Sequence, residues 1–456
     1  MYKRQVHALV SAGADVNLQG SDGASPLIMA SEAGHTDVVH ALVSAGANVN
    51  LQGNDGVSPL IMASQEGHTD VVHALVSAGA DVNLQCNDGV SPLSLASQKG
   101  HTDVVHELVS AGADVNLQCN DGASPLSLAS QEGHTDVAHE LVSAGADVNL
   151  QHSDGASPLI MASQKGHSDI VHALVSAGAD VNLQRCDGAS PLIMAGQNGH
   201  SDIVYALVSA GADVNLQHSS GAFPLIMASQ KGHSDVVHAL VSAGADVNLQ
   251  HSSGASPLIA ASQQGHIDVV HELVSAGADI NIHCSDDASP LIMASEGGHT
   301  DVVHALVSAG ANVNLQRNDG ASPLSLASQV GHTDCVKLLI QSGAEVETRI
   351  NQGATSLYLA AQNGHVEVVE FLIEQHADVN ACDSDGSSCL LTAACCGHTD
   401  VVHALVSAGA DVNLQRSDGA SPLSLASQEG HTDVVRALVS AGADVNDVCT
   451  TLLPTN

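Results

Sequence analysis

Apolar residues in this chain fall into two short clusters per segment, and the pattern returns every 33 residues. In the first complete copy, residues 22–54, Leu27, Ile28 and Ala30 form one cluster, and Val38, Val39, Leu42 and Val43 form the other. The second cluster has the i, i+3, i+4 spacing of a helix that buries one stripe. Ser25-Pro26 predicts where the first helix starts. A serine oxygen can accept from a free backbone N–H, and proline at the first helical position forfeits no hydrogen bond. Gly34 predicts its end, because a left-handed residue after a helix is least strained as glycine. Thr36-Asp37 opens the second helix with a carboxylate near the positive end of its dipole, and Gly46 stops it. Residues 47–52 read as a short extended arm, and Asn54-Asp55-Gly56 as the tip of a tight turn.

Helices this short do not persist alone. Each copy must bury its stripes against the next, so a fixed period of this length predicts a solenoid. The expected fold class is an all-α solenoid of stacked helix–turn–helix units with short β-hairpin loops. Three segments follow: a partial copy over residues 1–21, thirteen copies over 22–450, and a tail over 451–456. Val6, Leu9 and Val10 form a second-helix stripe without a first-helix partner. At the other end Ala437, Leu438 and Val439 keep the interior pattern, with only Arg436 adapted to an end. Solenoids need polar caps, so the chain is expected to be a piece of a longer array.

The repeat resembles the ankyrin repeat. Asp22-Gly23, Pro26-Leu27, Ala30, Gly34-His35, Val38-Val39, Leu42 and Gly46-Ala47 match that family's pattern, as do their counterparts in later copies. The resemblance implies the fold and a protein-binding role, with the concave face of hairpins and inner helices as the usual binding surface. One departure runs throughout. The family's histidine after Pro-Leu is replaced by Ile28, Ser94, Ser127, Tyr358 and their counterparts, so the Thr–His hydrogen bond of the family is lost. Apolar packing is expected to compensate in the Ile copies, and compensation is expected to be weaker in the Ser copies. Single copies carry flaws as well. Phe223 replaces a capping serine, Asp287 a turn glycine, and Ser356 and Cys389 a first-turn proline. The copies beginning at Ser220 and Asp286 are therefore expected to be softer than their neighbours. Residues 335–397 depart furthest from the rest and read as an older segment among recent duplicates.

Composition narrows the function. The formal net charge is −38, from 11 Lys and Arg against 49 Asp and Glu, which excludes a nucleic-acid surface built on clustered cations. Repetition explains most of the acid: 35 of the 49 acidic residues occupy the three columns of Asp15, Asp22 and Asp37. No apolar run is long enough for a membrane helix, so no direct membrane insertion is expected. The ten cysteines follow no disulfide framework, and thiols of this kind fit the cytosol or the nucleus.

The 28 histidines are explained by position. Thirteen belong to the Gly-His of each copy, and ten share the column of His40, off the apolar stripe. That column predicts a solvated ladder, which would gain positive charge below pH ~6.5. Cys382, Cys389, Cys395, Cys396 and His398 lack a metal-binding spacing, and Cys335 occupies a core Val position. No catalytic constellation, metal site or cofactor site is expected, and the oligomeric state is left open.

Specific function must lie where near-identical copies differ. The column of Gly20 varies through Cys86, Cys119, His152, Arg185, His218, His251, Arg317 and Arg416. The column of Ala33 carries Lys99, Lys165 and Lys231 among others. Six of the 11 Lys and Arg therefore fall in these two columns. Together with Arg349 and Tyr358 they form the candidate protein-binding strip of a non-catalytic scaffold or adaptor, suited to an extended segment of acidic or mixed character. Two alternatives stand beside it: an architectural spacer or elastic array, and the repeat part of a longer protein whose enzyme or channel domain lies elsewhere.

Overall fold

The structure, a computed structural model, describes residues 12–445 together with Ala8. The half-copy stripe of Val6, Leu9 and Val10 and the tail from residue 446 lie outside the described residues. From Pro26 onward, 26 short helices alternate between a first helix of seven or eight residues and a second of nine. By internal contacts the chain divides into two units, Met1–Pro224 with Ser242–Gly244, and Leu225–Val241 with Ala245–Asn456.

Each copy is built as its sequence dictates. Ser25 accepts the Ile28 N–H at 3.2 Å, and helix Pro26–Glu32 runs from that cap to Gly34, whose φ is +69°. Helix Thr36–Ser44 follows at once and carries Asp37 in its first turn. First helices stack on first helices and second on second, which closes a core of thin aliphatic layers. In the fourth complete copy Leu126, Ala129, Val137, Ala138 and Leu141 are at most 1% exposed. Each such leucine contributes about 1.5–3 kcal/mol on burial.

Two expectations need correction. The loops are turns rather than strands: among the described residues no strand forms, and the one ladder-type contact is the isolated bridge between Cys382 and Ser388. Residues 47–50 already turn, with Asn48 Oδ1 accepting the Asn50 N–H at 3.0 Å. Each tip closes on itself instead of pairing along an arm, as where the Cys119 N–H donates to Ala123 O at 2.9 Å.

Nor is compensation weak in three of the four Ser copies, the exception being that of Ser94, whose hydroxyl meets the Ser91 hydroxyl at 2.9 Å without closing a reciprocal pair. Ser127 Oγ accepts the Ser124 N–H at 2.9 Å while Ser124 Oγ accepts the Ser127 N–H at 3.2 Å. That reciprocal box recurs at Ser322/Ser325 and Ser421/Ser424. It satisfies two helix-end N–H groups, a polar substitute for the packing that Ile160 and its kin provide.

Amide side chains tie neighbouring loops into ladders. Gln118 Nε2 donates to Gly122 O at 2.6 Å and, across to the next copy, to Gln151 O at 3.0 Å. Asn83 Oδ1 accepts the Asp114 N–H at 2.8 Å, and Asn116 Oδ1 that of Asp147 at 2.8 Å. In the divergent segment Glu347 and Arg349 carry both ladders with different chemistry, and the glutamine ladder breaks one copy on at Cys382, whose thiol turns to Asn380 O at 3.5 Å. Glu347 Oε1 accepts the Asp378 N–H at 2.9 Å, and Arg349 Nη1 donates to Gly353 O at 2.7 Å and Cys382 O at 2.6 Å.

The glutamine ladder is interrupted at His283, whose Nδ1 lies 3.1 Å from Asp287 Oδ1 instead. Asp287 holds φ +62°, a left-handed conformation that its neighbours give to glycine. At Phe223 the ring is fully buried. The expected softness is therefore sharpest at 283–297, whose amides should undergo hydrogen exchange faster than those of 316–330. Asp287→Gly should restore about 1 kcal/mol and close that gap. Equal protection of the two segments in the unmodified protein would refute local softness.

Candidate protein-interaction surface

In the first unit the loop turns and the first helices together frame a groove. Between two adjacent copies it is lined by Val90, Leu95, Gln98, Cys119, Asn120 and Leu128. Leu95 and Leu128 belong to a column that is Met or Leu in eleven of the thirteen first helices, with Ala260 and Thr392 as the exceptions, and that begins at Met29 and continues through Met62 and Met161. Met29 is 61% exposed, and Met62, Leu95, Leu128 and Met161 are half-buried. The sequence hides this row, because a Met or Leu after Leu27-Ile28 reads as one more core position on a two-turn helix.

The candidate strip residues separate by what they touch. Lys99, Lys165 and Lys231 stand exposed at the last position of helices Pro92–Lys99, Pro158–Lys165 and Pro224–Lys231. There they face the negative dipole end, and among the described residues no carboxylate pairs with them.

The loop arginines are held internally. Arg185 Nη2 lies 2.9 Å from Asp154 Oδ2 in the preceding loop and 3.8 Å from Asp187. Arg317 pairs with Asp319 at 2.7 Å and approaches Glu296 at 3.9 Å. Arg416 bonds to Asp418, and this contact, with the Ala420 N–H, holds the Asp418 carboxyl down to about 2.

The loop histidines also have near partners. His152 Nε2 meets Ser127 Oγ at 2.8 Å, and burial lowers its pKa. His218 and His251 place Nδ1 2.9 Å from Ser220 and Ser253, where other copies have aspartate. The Arg349 guanidinium is engaged with backbone carbonyls of the glutamine ladder, as described above.

Tyr358 is only 9% exposed, and its hydroxyl donates to Asp383 Oδ2 at 3.0 Å. Burial, opposed by a Thr392 hydrogen bond and reinforced by Asp383, pushes its pKa up to about 12. The neutral phenol is favoured by folding, so its stabilising contribution is complete below pH ~10 and is lost as the pH rises from there toward about 12. In ultraviolet titration, the component removed by Tyr358→Phe should ionise near that upper value. Ionisation near pH ~10 would show that the buried pair does not form.

Other chemistry finds little support in the geometry. Cys335 is buried against Thr300 Oγ1 at 3.3 Å, and burial raises its pKa, opposite to the shift a nucleophile needs. Among the described residues no group of three or more His, Cys, Asp or Glu could hold a metal ion. No helix among them is long and apolar enough to cross a membrane.

The remaining histidines divide into two structural sets, except His376, which holds φ +65° where other copies have glycine. In copy after copy the Gly-His ring reaches back to the end of the preceding first helix, as where His134 Nε2 lies 3.0 Å from Gln98 O. A carbonyl can only accept, so Nε2 carries the proton. The outer column is exposed, and its members pair wherever the next copy offers a glutamate: His73 with Glu107 at 2.7 Å, His106 with Glu140 at 2.9 Å and His238 with Glu272 at 2.9 Å.

Comparison with known proteins agrees with this architecture. A family model described as ankyrin repeats in three copies matches in overlapping placements at residues 2–86, 78–152, 144–218, 192–284, 225–317, 259–350, 291–383 and 357–449. No curated protein is similar enough to count as a relative. Since those placements leave almost none of the repeat array unmatched, and the stacked helix pairs supply the geometry the family requires, this chain belongs to the ankyrin-repeat family.

Proposed function

We propose that the chain is a non-catalytic scaffold whose loop and first-helix face binds an extended protein segment of acidic or mixed character. Ankyrin repeats are in general protein–protein interaction modules. The observation that carries the reading is the half-exposed row of Met62, Leu95, Leu128 and Met161, flanked by the exposed Lys99 and Lys165 on an otherwise acidic body. An apolar strip with unpaired cations at its edge can take both the apolar and the acidic side chains of such a segment. Contacts repeated in several copies would sum to avidity without one dominant residue, which fits a chain with only 1% aromatic residues. Arg185, Arg317 and Arg416 would contribute less, since a partner must first displace their own aspartates.

The test is reversal of Lys99, Lys165 and Lys231 to Glu, followed by quantitative affinity capture of the partners held by the unmodified chain. Loss of a defined partner set, by roughly tenfold or more in affinity, is the expected result. A spacer would tolerate the reversal and respond instead to deletion of whole copies, and that pattern would replace this reading.

A further inference from the structure

The second-helix face carries grooves of its own, between neighbouring second helices. One lies between Thr135–Ser143 and Ser168–Ser176, where His139, His172 and Asp169 stand around Val142 and Ala173. Its counterpart between Val366–Glu374 and Thr399–Ser407 has a floor of half-buried Val366, Ile373 and Ala404. Exposed Glu370, Glu374 and Asp400 form its edges together with His403, the counterpart of His172. Within the repeat register Glu370 stands in the column of His40, and Glu374 in a column that is otherwise Ser in every copy but one, Gln341. The two grooves share a backbone plan and differ in charge.

Elsewhere on this face, glutamates are matched by the chain itself. Glu107, Glu140 and Glu272 each meet a histidine of the preceding copy. The cation placed to play that part for the divergent copy is Lys337. It turns instead over the ring of Phe371, with its nitrogen 5.9 Å from the centroid, a stabilising contact for an ammonium. Among the described residues, Glu370, Glu374 and Asp400 have no ion-pair partner. An apolar floor edged by unmatched carboxylates is complementary to a side-chain pattern of alternating cation and hydrocarbon.

We propose that this groove docks a basic amphipathic segment of a partner protein. Its Lys or Arg side chains would lie against Glu370, Glu374 and Asp400, with an apolar side chain over Ile373 and Ala404. A second copy of this chain is a poor occupant, having 11 Lys and Arg against 49 acidic residues. Nucleic acids and anionic membranes are repelled by the same carboxylates. The groove lies on the second-helix face, so the inference does not rest on the binding surface proposed above.

The test uses fluorescence anisotropy of a labelled amphipathic Lys/Leu peptide against the full chain. Glu370→His combined with Glu374→Ser installs residues that other copies carry at these positions, which preserves the fold. The double change removes only two of 49 acidic residues, so nonspecific attraction is almost unaltered. Roughly tenfold weaker binding by this variant is expected. The reciprocal pair His139→Glu and Ser143→Glu should add a second site. Equal affinity of the unmodified chain and the double variant, or no binding to the unmodified chain, overturns the proposal. The Lys99, Lys165 and Lys231 reversal should leave this binding intact, and its loss there would overturn the proposal by moving the peptide to the other face.

Discussion

Gly100→Ala should destabilise the copies around it by about 2–4 kcal/mol, although it adds a single methyl group. Gly100 ends helix Pro92–Lys99 with φ +79°, a conformation costly to any L side chain. An added Cβ would lie 2.5 Å from Nδ1 and 2.9 Å from Cγ of the His134 ring, which belongs to the next copy. The ring cannot retreat freely, because its Nε2–H is donated to Gln98 O at 3.0 Å. The methyl therefore brings backbone strain and also breaks the bond that satisfies a helix-end carbonyl. A double-mutant cycle separates the two effects. In a His134→Ala background the steric conflict is gone, and Gly100→Ala should cost only about 1 kcal/mol, the conformational part. Urea unfolding of the four proteins measures it, and additive costs would show that glycine and histidine do not act as one unit.

The second large effect runs the other way. Ser64, Ser97, Ser130 and Ser163 are fully buried on successive first helices, and their hydroxyls have no hydrogen-bond partner among the described residues. A buried hydroxyl without a partner costs roughly 1–3 kcal/mol, and alanine is also the better helix former. The divergent copies show that alanine fits, since Ala361 and Ala394 occupy the same column at 0% exposure. Replacing the four serines by alanine should raise stability by about 1 kcal/mol per site. The sites are in different copies, so the gains should nearly add to about 4 kcal/mol. A clear upward shift of the urea midpoint is the expected result. An unchanged or lowered midpoint would show that the hydroxyls are satisfied in solution.

Both predictions depend on how one copy meets the next, and that is where reading the residues alone reached its limit. The position of Gly100 after a helix was legible from the stop signal that the residue type carries. The ring of His134 closing over it was not, because residues 34 apart are neighbours only once the stack exists. The same limit applied to the serines of helices such as Pro125–Glu132. Ser124 was legible as a cap because its partner is three residues away. Ser130 is indistinguishable in sequence from an exposed helix serine until its neighbours cover it.

The candidate strip divides in a similar way. Lys99, Lys165 and Lys231 were legible as charged helix ends, and the structure leaves them exposed. Arg185 and Arg317 were legible as variable loop cations, but not as cations already opposed by Asp154 and Asp319. Their partners depend on how far each side chain extends across the loops. Arg349 and Glu347 read as drift in a divergent copy. In the structure they keep the amide ladders, since a guanidinium can donate where an amide donates and a carboxylate can accept where an amide accepts.

By itself, the sequence determined the unit and its stacking. Period, caps, glycine stops and aliphatic stripes are local signals, and 33-residue copies too short to fold alone leave stacking as the way to bury them. The tertiary structure alone decided which polar groups are satisfied and which charges remain unmatched. Partner choice between copies depends on distances of a few ångströms across the stack. That is why the serine column, the histidine lock, the Met/Leu row and the unneutralised groove at Glu370 and Glu374 became visible only when the copies were packed together.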